Sequence, residues 1–320
     1  MKNILIIGGG AMGSAFTFPC LENNNKVIIT EPHSKRFIKD LSSEQKFHSA
    51  LKVRLPKKLE FRKYSKKLLE EKFDLIVIAL SLSGIDFIGK EFRNLKIRSQ
   101  ILILTKGLKY EKKTNKIYTI SERLKKNFNI KNISILKGPC LAKELARKKQ
   151  TSVIVANKNI NVAKNIGKMI STKYYLIEFS KDIIGVEVCS AIKNIYSMII
   201  GAGQSLNASS NLFQKSVIEM KYLTKYFKGK EETTLGLAGV GDLYVSAAGG
   251  RNSKMGSHLG KGYTFKIAKK RFMPKDTVEG EQLAREIAPY IFKKIDKKKI
   301  PLMINLLRTI INNKKLKIKV

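Results

Sequence analysis

Three cysteines and three histidines in 320 residues are too few, and too scattered, for several kinds of protein. Cys20, Cys140 and Cys189 are odd in number and widely spaced. They make neither a disulfide framework nor a metal box, which fits a reducing cytoplasm. The histidines form no ligand pattern either, so no metal is expected. No apolar run approaches the roughly 18 uninterrupted residues of a membrane span, and no membrane insertion is expected. MKNILIIGGG imitates a signal peptide only loosely, because its apolar run is short and passes into glycines without a convincing cleavage site. Acidic residues are also scarce, 25 against 63 lysines and arginines, which leaves a net charge of +38. That excess invites a nucleic-acid or membrane-surface binder as one reading. The lysines, however, run from end to end alongside much isoleucine and asparagine, as biased composition would write them onto a tolerant surface. No specific nucleic-acid partner is expected, and the basic tail KKLKIKV is short.

What is present is the composition of a folded protein, 43% hydrophobic and 28% charged, long enough for two domains with real cores. Strand-length apolar runs punctuate the first 180 residues: Ile4–Ile7, Val27–Thr30, Leu59–Tyr64, Leu75–Leu80, Ile101–Thr105, Ile133–Leu136, Ser152–Ala156 and Tyr174–Phe179. Helical patterns, such as Ser14–Leu21 and Ile117–Phe128, lie between most of them. Such alternation predicts βα units and a largely parallel sheet. After about residue 182 helices take over, including Val186–Gly201, Leu212–Phe227, Phe265–Ala268 and Glu281–Phe292. The expected fold class is therefore α/β: a Rossmann-type doubly wound sheet over residues 1–181, then an all-helical substrate domain over 182–320.

The first turn, Gly8-Gly9-Gly10-Ala11-Met12-Gly13, directly follows a strand and opens a helix. In that setting Gly8 serves the tight turn, Gly10 the close approach of a pyrophosphate, and Gly13 the contact of helix with strand. The helix N-terminus offers amide donors to phosphate. Glu31 ends the second strand, near the expected distance of about 20 residues beyond the glycines. A carboxylate there accepts hydrogen bonds from ribose hydroxyls and repels a 2′-phosphate. The cofactor predicted is NAD, with NADP also possible.

The segment SAIKNIYSM, residues 190–198, sets Lys193 and Asn194 inside one of the most apolar stretches of the chain. Val188, Ile192, Ile195 and Ile199 recur at helical spacing. Glu187, Ser190, Asn194 and Ser197 fall on the opposite stripe, with Lys193 at its edge. Two readings stand. The lysine snorkels its ammonium into water, or the stripe faces a cleft where a desolvated lysine is a tunable acid.

Several segments occur in a telling order: TKGL (105–108), GPCLAKEL (138–145), GVEVCSAIKNIYSMIIG (185–201), LGLAGVGDL (235–243), GGRNSKMG (249–256) and VEGEQLA (278–284). From the glycine loop to about residue 305 the chain resembles the NAD(P)-dependent glycerol-3-phosphate dehydrogenases of bacterial type. The resemblance implies interconversion of dihydroxyacetone phosphate and sn-glycerol 3-phosphate by hydride transfer, supplying phospholipid synthesis in the cytoplasm. Lys193 then matches the catalytic lysine that protonates the substrate carbonyl, Lys106 a second active-site lysine, and Asp242 the carboxylate that works with both. Asn194, Ser246, Arg251 and Asn252 match substrate-binding positions, with Arg251 and Asn252 gripping the phosphate. Gly8, Gly10, Ala11, Met12, Gly13, Glu31, Lys106, Ala142, Arg251 and Glu279 match the cofactor-binding surface. A homodimer is expected. The family's G-P-S reads Gly138-Pro139-Cys140 here, and Ser81-Leu82 stands where a Pro-Ser pair is common. A related two-domain dehydrogenase acting on a β-hydroxyacid is the alternative enzyme.

Overall fold

The computed structural model describes residues 1–93, 95 and 97–318; the last two residues of the basic tail lie outside the described residues. Eight strands make the main sheet: β1 (Asn3–Ile7), β2 (Lys26–Thr30), β3 (Glu60–Phe61), β4 (Leu75–Ile78), β5 (Gln100–Ile103), β6 (Ile133–Lys137), β7 (Thr151–Ala156) and β8 (Tyr175–Ser180). Each lies on one of the eight runs read from the sequence. Their spatial order is β8-β7-β6-β5-β4-β1-β2-β3. Every neighbouring pair is parallel except β6 with β7. The strand order reverses between β1 and β4, where doubly wound sheets open a crevice for ligands. Ile4, Leu5, Ile6 and Ile7 are all fully buried, as are Leu75, Val77 and Ile78, so both faces of the central strands are covered.

The chain divides into two compact units, one built from Met1–Lys106 and Ile120–Ile183, the other from Gly107–Thr119 and the chain from Ile184 onward. The 107–119 excursion departs from expectation. The helix predicted over Ile117–Phe128 begins only at Ile120, because Lys116–Thr119 pairs antiparallel with Leu108–Glu111. Ile117, Tyr118 and Thr119 are strand formers, and a cross-strand partner outweighs their place in a helical pattern. The hairpin joins the second unit, where the Tyr110 amide donates to Glu286 at 3.0 Å and Lys109 pairs with the same carboxylate at 3.6 Å.

From Ile183 on the described elements are helices, as predicted, although Leu206–Tyr226 starts six residues early because Ser205 accepts from the Ala208 amide and caps it. The Ile183–Gly201 helix is long and apolar enough to cross a membrane, yet 89% of its most apolar window is buried within the protein. The Pro301–Asn312 helix is tied to the Ile183–Gly201 helix through Glu219, whose carboxylate accepts from the Leu302 and Met303 amides at 2.7 and 3.0 Å and from Tyr196 Oη at 3.0 Å. Burial pushes the Glu219 carboxyl up to about 7, against the opposing pull of those donors.

A carboxyl whose folded value is raised stabilises the fold fully below its unfolded value near 4.5 and loses that contribution as pH rises through about 7. Chemical denaturation of wild type should therefore show stability falling across this window, and Glu219→Gln should flatten the slope. An unchanged slope in the variant would show that Glu219 does not titrate there.

Candidate active site

Each unit carries its own set of candidate site residues. In the first, Gly8 has φ of +119°, and a side chain there would sit 2.6 Å from the Ala79 carbonyl beyond β4. A Cβ on Gly13 would come within 2.0 Å of the Gly8 carbonyl, so the helix Ala11–Glu22 packs onto the turn only through glycine. Gly10 differs. A Cβ there would meet only the Phe37 ring, at 3.8 Å. As N-cap it offers no side-chain bond to the first-turn amides, and that turn holds no acid. Open space beside free amide donors is what an approaching pyrophosphate requires. Ala11, Met12 and Ala142 pack half-buried against the same core, and Lys106 is half-buried in the turn after β5.

Glu31 stands where it was expected in the chain, but its carboxylate is engaged differently. One oxygen accepts from the Gly9 amide at 2.7 Å, and the other from the His33 and Ser34 amides at 2.9 Å each. The side chain is 7% exposed. Three backbone donors thus hold the group that had been assigned to ribose hydroxyls. His48, which the sequence offered only as a lone histidine, completes this grip. Its Nδ1 accepts from the Leu51 amide at 3.2 Å, so Nε2 carries the proton and donates to the Gly9 carbonyl at 2.9 Å. Ser14 Oγ donates to the same carbonyl at 3.0 Å.

Lys137 also escaped the sequence reading. It is 2% exposed in β6, and its ammonium donates to the carbonyls of Ile103 and Thr105 at 3.1 and 2.6 Å. It therefore pins the backbone immediately before Lys106. A charged residue ending an apolar strand was the available signal.

In the second unit burial decides between the two readings of Lys193. The polar stripe does not face water: Glu187, Ser190 and Ser197 are buried, and Lys193 is 6% exposed. Its ammonium pairs with Asp242 Oδ1 at 2.7 Å and donates to Ser246 Oγ. Asp242 opens the helix Asp242–Ala247 just after a π-helical turn, Leu237–Gly241, of the kind that often marks functional sites. Asn194 Oδ1 accepts from Asn252 Nδ2 at 3.1 Å, and Asn252 Oδ1 accepts from the Gly280 amide at 2.9 Å. Arg251 pairs with Glu279 through an exposed contact.

Glycines explain how these side chains meet. A Cβ on Gly256 would lie 1.9 Å from the Met198 carbonyl, and one on Gly280 would lie 2.6 Å from that of Asn194. The helices Arg251–Gly260 and Glu279–Lys294 can thus reach the backbone of the Lys193 helix itself, carrying Asn252 and Glu279 with them. Among the described residues no three His, Cys, Asp or Glu side chains are grouped to hold a metal ion.

A doubly wound sheet with an open glycine turn, and a helical unit holding a buried lysine–aspartate pair, are the features of a nicotinamide-dependent dehydrogenase of the two-unit type. The comparisons narrow this. Residues 3–163 match the family model described as the NAD-dependent glycerol-3-phosphate dehydrogenase N-terminus, and residues 182–320 the corresponding C-terminus. The chain belongs to this family. It is 30% identical over 284 residues to the NADP(+)-dependent glycerol-3-phosphate dehydrogenase of Archaeoglobus fulgidus, covering 82% of this chain and 81% of that protein. It is 29% identical to the glycerol-3-phosphate dehydrogenase [NAD(P)+] of Francisella tularensis, covering 94% and 91%. The fold matches the crystal structure of glycerol-3-phosphate dehydrogenase from Coxiella burnetii with a TM-score of 0.84 at 24% identity, over 98% of this chain and 96% of that one.

Removing the Asp242 charge takes the carboxylate from a buried ammonium. Asp242→Asn should lower stability by about 3–5 kcal/mol, the scale for breaking a buried pair, measurable by denaturant titration. A loss below ~1 kcal/mol would show that water reaches the pair. For Glu31, binding titrations decide the role. Glu31→Ala should weaken NADH and NADPH together, because both need the glycine turn; selective loss of NADH would return the carboxylate to the ribose.

Proposed function

We propose that this protein reduces dihydroxyacetone phosphate to sn-glycerol 3-phosphate, and runs the reverse reaction, with NADH or NADPH. The observation that carries this reading is the buried Lys193, Asp242 and Ser246 cluster, set in the family's motif order with Asn194, Arg251 and Asn252 beside it. The turn at Gly8–Gly13 and the first-turn amides after Gly10 would hold the cofactor's pyrophosphate. When bound, the nicotinamide supplies the hydride. The chain's own residues do the rest.

Reduction of a ketone places negative charge on its oxygen, and a positioned acid lowers the barrier. Lys193 gives its proton to that oxygen, and in the reverse direction takes it back. Asp242 holds the ammonium in place and balances its charge in a site that water barely reaches. Ser246 fixes a second direction of the same head group. Asn194 and Asn252, bonded to each other, present their remaining polar edges to substrate oxygens. Arg251 binds the phosphate. Its fork suits phosphate oxygens, and its exposed pairing with Glu279 is cheap to exchange for a dianion. Lys106, held by the backbone that Lys137 pins, adds a second cation for the anionic substrate.

Glu31 no longer argues strongly for NADH, since its oxygens serve backbone amides. Use of either cofactor accords with the names of the two relatives quoted. The enzyme is read as a cytoplasmic homodimer that supplies glycerol 3-phosphate for phospholipid synthesis.

The deciding assay follows NADH and NADPH oxidation with dihydroxyacetone phosphate. Lys193→Ala should lose at least ~100-fold in kcat while NADH binding persists. Arg251→Ala should lose roughly 2–5 kcal/mol in kcat/KM for the phosphorylated substrate, and little for a phosphate-free analogue. Near-normal turnover by the Lys193 variant, or turnover of a β-hydroxyacid's oxo form in place of the phosphate ester, would overturn the proposal.

A further inference from the structure

A cavity lies wholly inside the helical unit, between the helices Leu206–Tyr226 and Pro301–Asn312 and the chain after the latter. Its volume is about 690 Å³, within the span of about 300–1,000 Å³ typical of small-molecule sites. None of the residues placed at the active site lines it. Its apolar walls are formed by Ile218, Leu302 and Ile318, and Ile218 is 55% exposed. Its polar groups are four lysines, Lys215, Lys298, Lys299 and Lys317, together with Asn305 and one acid, Glu219. Glu219 does not offset the lysines fully. Its oxygens are engaged by the Leu302 and Met303 amides and Tyr196, and burial favours its neutral form.

We propose that this cavity is a binding site for a single-chain anionic amphiphile, an alkyl chain ending in a phosphate or carboxylate. The two halves of such a molecule match the two kinds of surface here. An alkyl chain removes the Ile218, Leu302 and Ile318 faces from water, and every methylene it buries there favours binding. The head group meets ammonium groups whose flexible stems adjust to either anion. An uncharged chain would leave the cations unused, and a free anion would leave the apolar walls wet. The site is independent of the reaction proposed above, since no residue is shared.

The test is calorimetric titration of the full chain with dodecyl phosphate and with dodecanoate, each below its micelle concentration. Dodecanol and inorganic phosphate serve as half-ligands. Saturable binding of one equivalent is expected for at least one of the two amphiphiles, and the tighter one identifies the head group. Both half-ligands should bind at least about tenfold more weakly, a difference near 1.4 kcal/mol. Two variants locate the site: Lys298→Glu with Lys299→Glu reverses the rim charge, and Asn305→Trp fills the cavity. Each should weaken amphiphile binding at least about tenfold while leaving kcat for dihydroxyacetone phosphate unchanged. The lysine pair is exposed, so its variant keeps a readout should the tryptophan disturb folding, which a melting curve would reveal. Absence of saturable binding, equal binding of dodecanol, or binding untouched by the charge reversal would overturn the proposal. So would sedimentation showing that the charge reversal converts a dimer into monomers, because the cavity would then be a subunit contact.

Discussion

The contact between Lys193 and Asp242 governs the helical unit. Two opposite charges held 2.7 Å apart, with side chains 7% and 4% exposed, have given up nearly all their water. Desolvation of each ion costs several kcal/mol, and mutual attraction offsets that only with good geometry and further hydrogen bonds. The surroundings meet this demand. The lysine rides on a helix buried along almost its whole length, and the aspartate begins another helix whose preceding π-helical turn sets its direction. Ser246, one turn further along, takes another of the ammonium's hydrogens. A charge pair placed this way is poor material for stability alone. What it does fix is direction: Asp242 and Ser246 hold the ammonium's hydrogens along set lines in nearly dry surroundings.

A parallel economy of contacts fixes the glycine turn of the sheet unit. Gly9 has no side chain with which to anchor itself, so its neighbours hold its backbone from both sides. Glu31 takes its amide, while His48 and Ser14 supply donors to its carbonyl. The carboxylate thereby also fastens the end of β2 through His33 and Ser34. Turn and strand end are thereby tied together, while Gly10 keeps open space in front of the helix amides. An acid that looks like a ribose ligand by its place in the chain is also part of the scaffold that holds the glycine turn.

Much of this was readable in the residues. All eight strands of the main sheet fall on apolar runs, most clearly the central ones, because a strand covered on both faces must be apolar throughout. The glycine turn was legible because Gly8 and Gly13 stand where no side chain fits. Helix starts were less so. Ser205 begins its helix well before the apolar pattern does, through a single side-chain cap. The strand at Lys116–Thr119 was invisible because its partner, Leu108–Glu111, does not show as an apolar run, and only pairing makes either a strand.

The sequence by itself determined the alternation of strand and helix, the turn at the end of β1, and the family to which the motifs belong. These depend on spacing along the chain and on residue types that local geometry demands. Tertiary structure alone decided whether Lys193 reaches water or a carboxylate, since Asp242 is 49 positions away in the chain. It likewise decided that Glu31 serves the backbone, that His48 and Lys137 matter, and that four lysines from three segments gather at one apolar cavity. Charge and hydrogen-bond partners are chosen by proximity in space, and spacing in sequence carries little record of that choice.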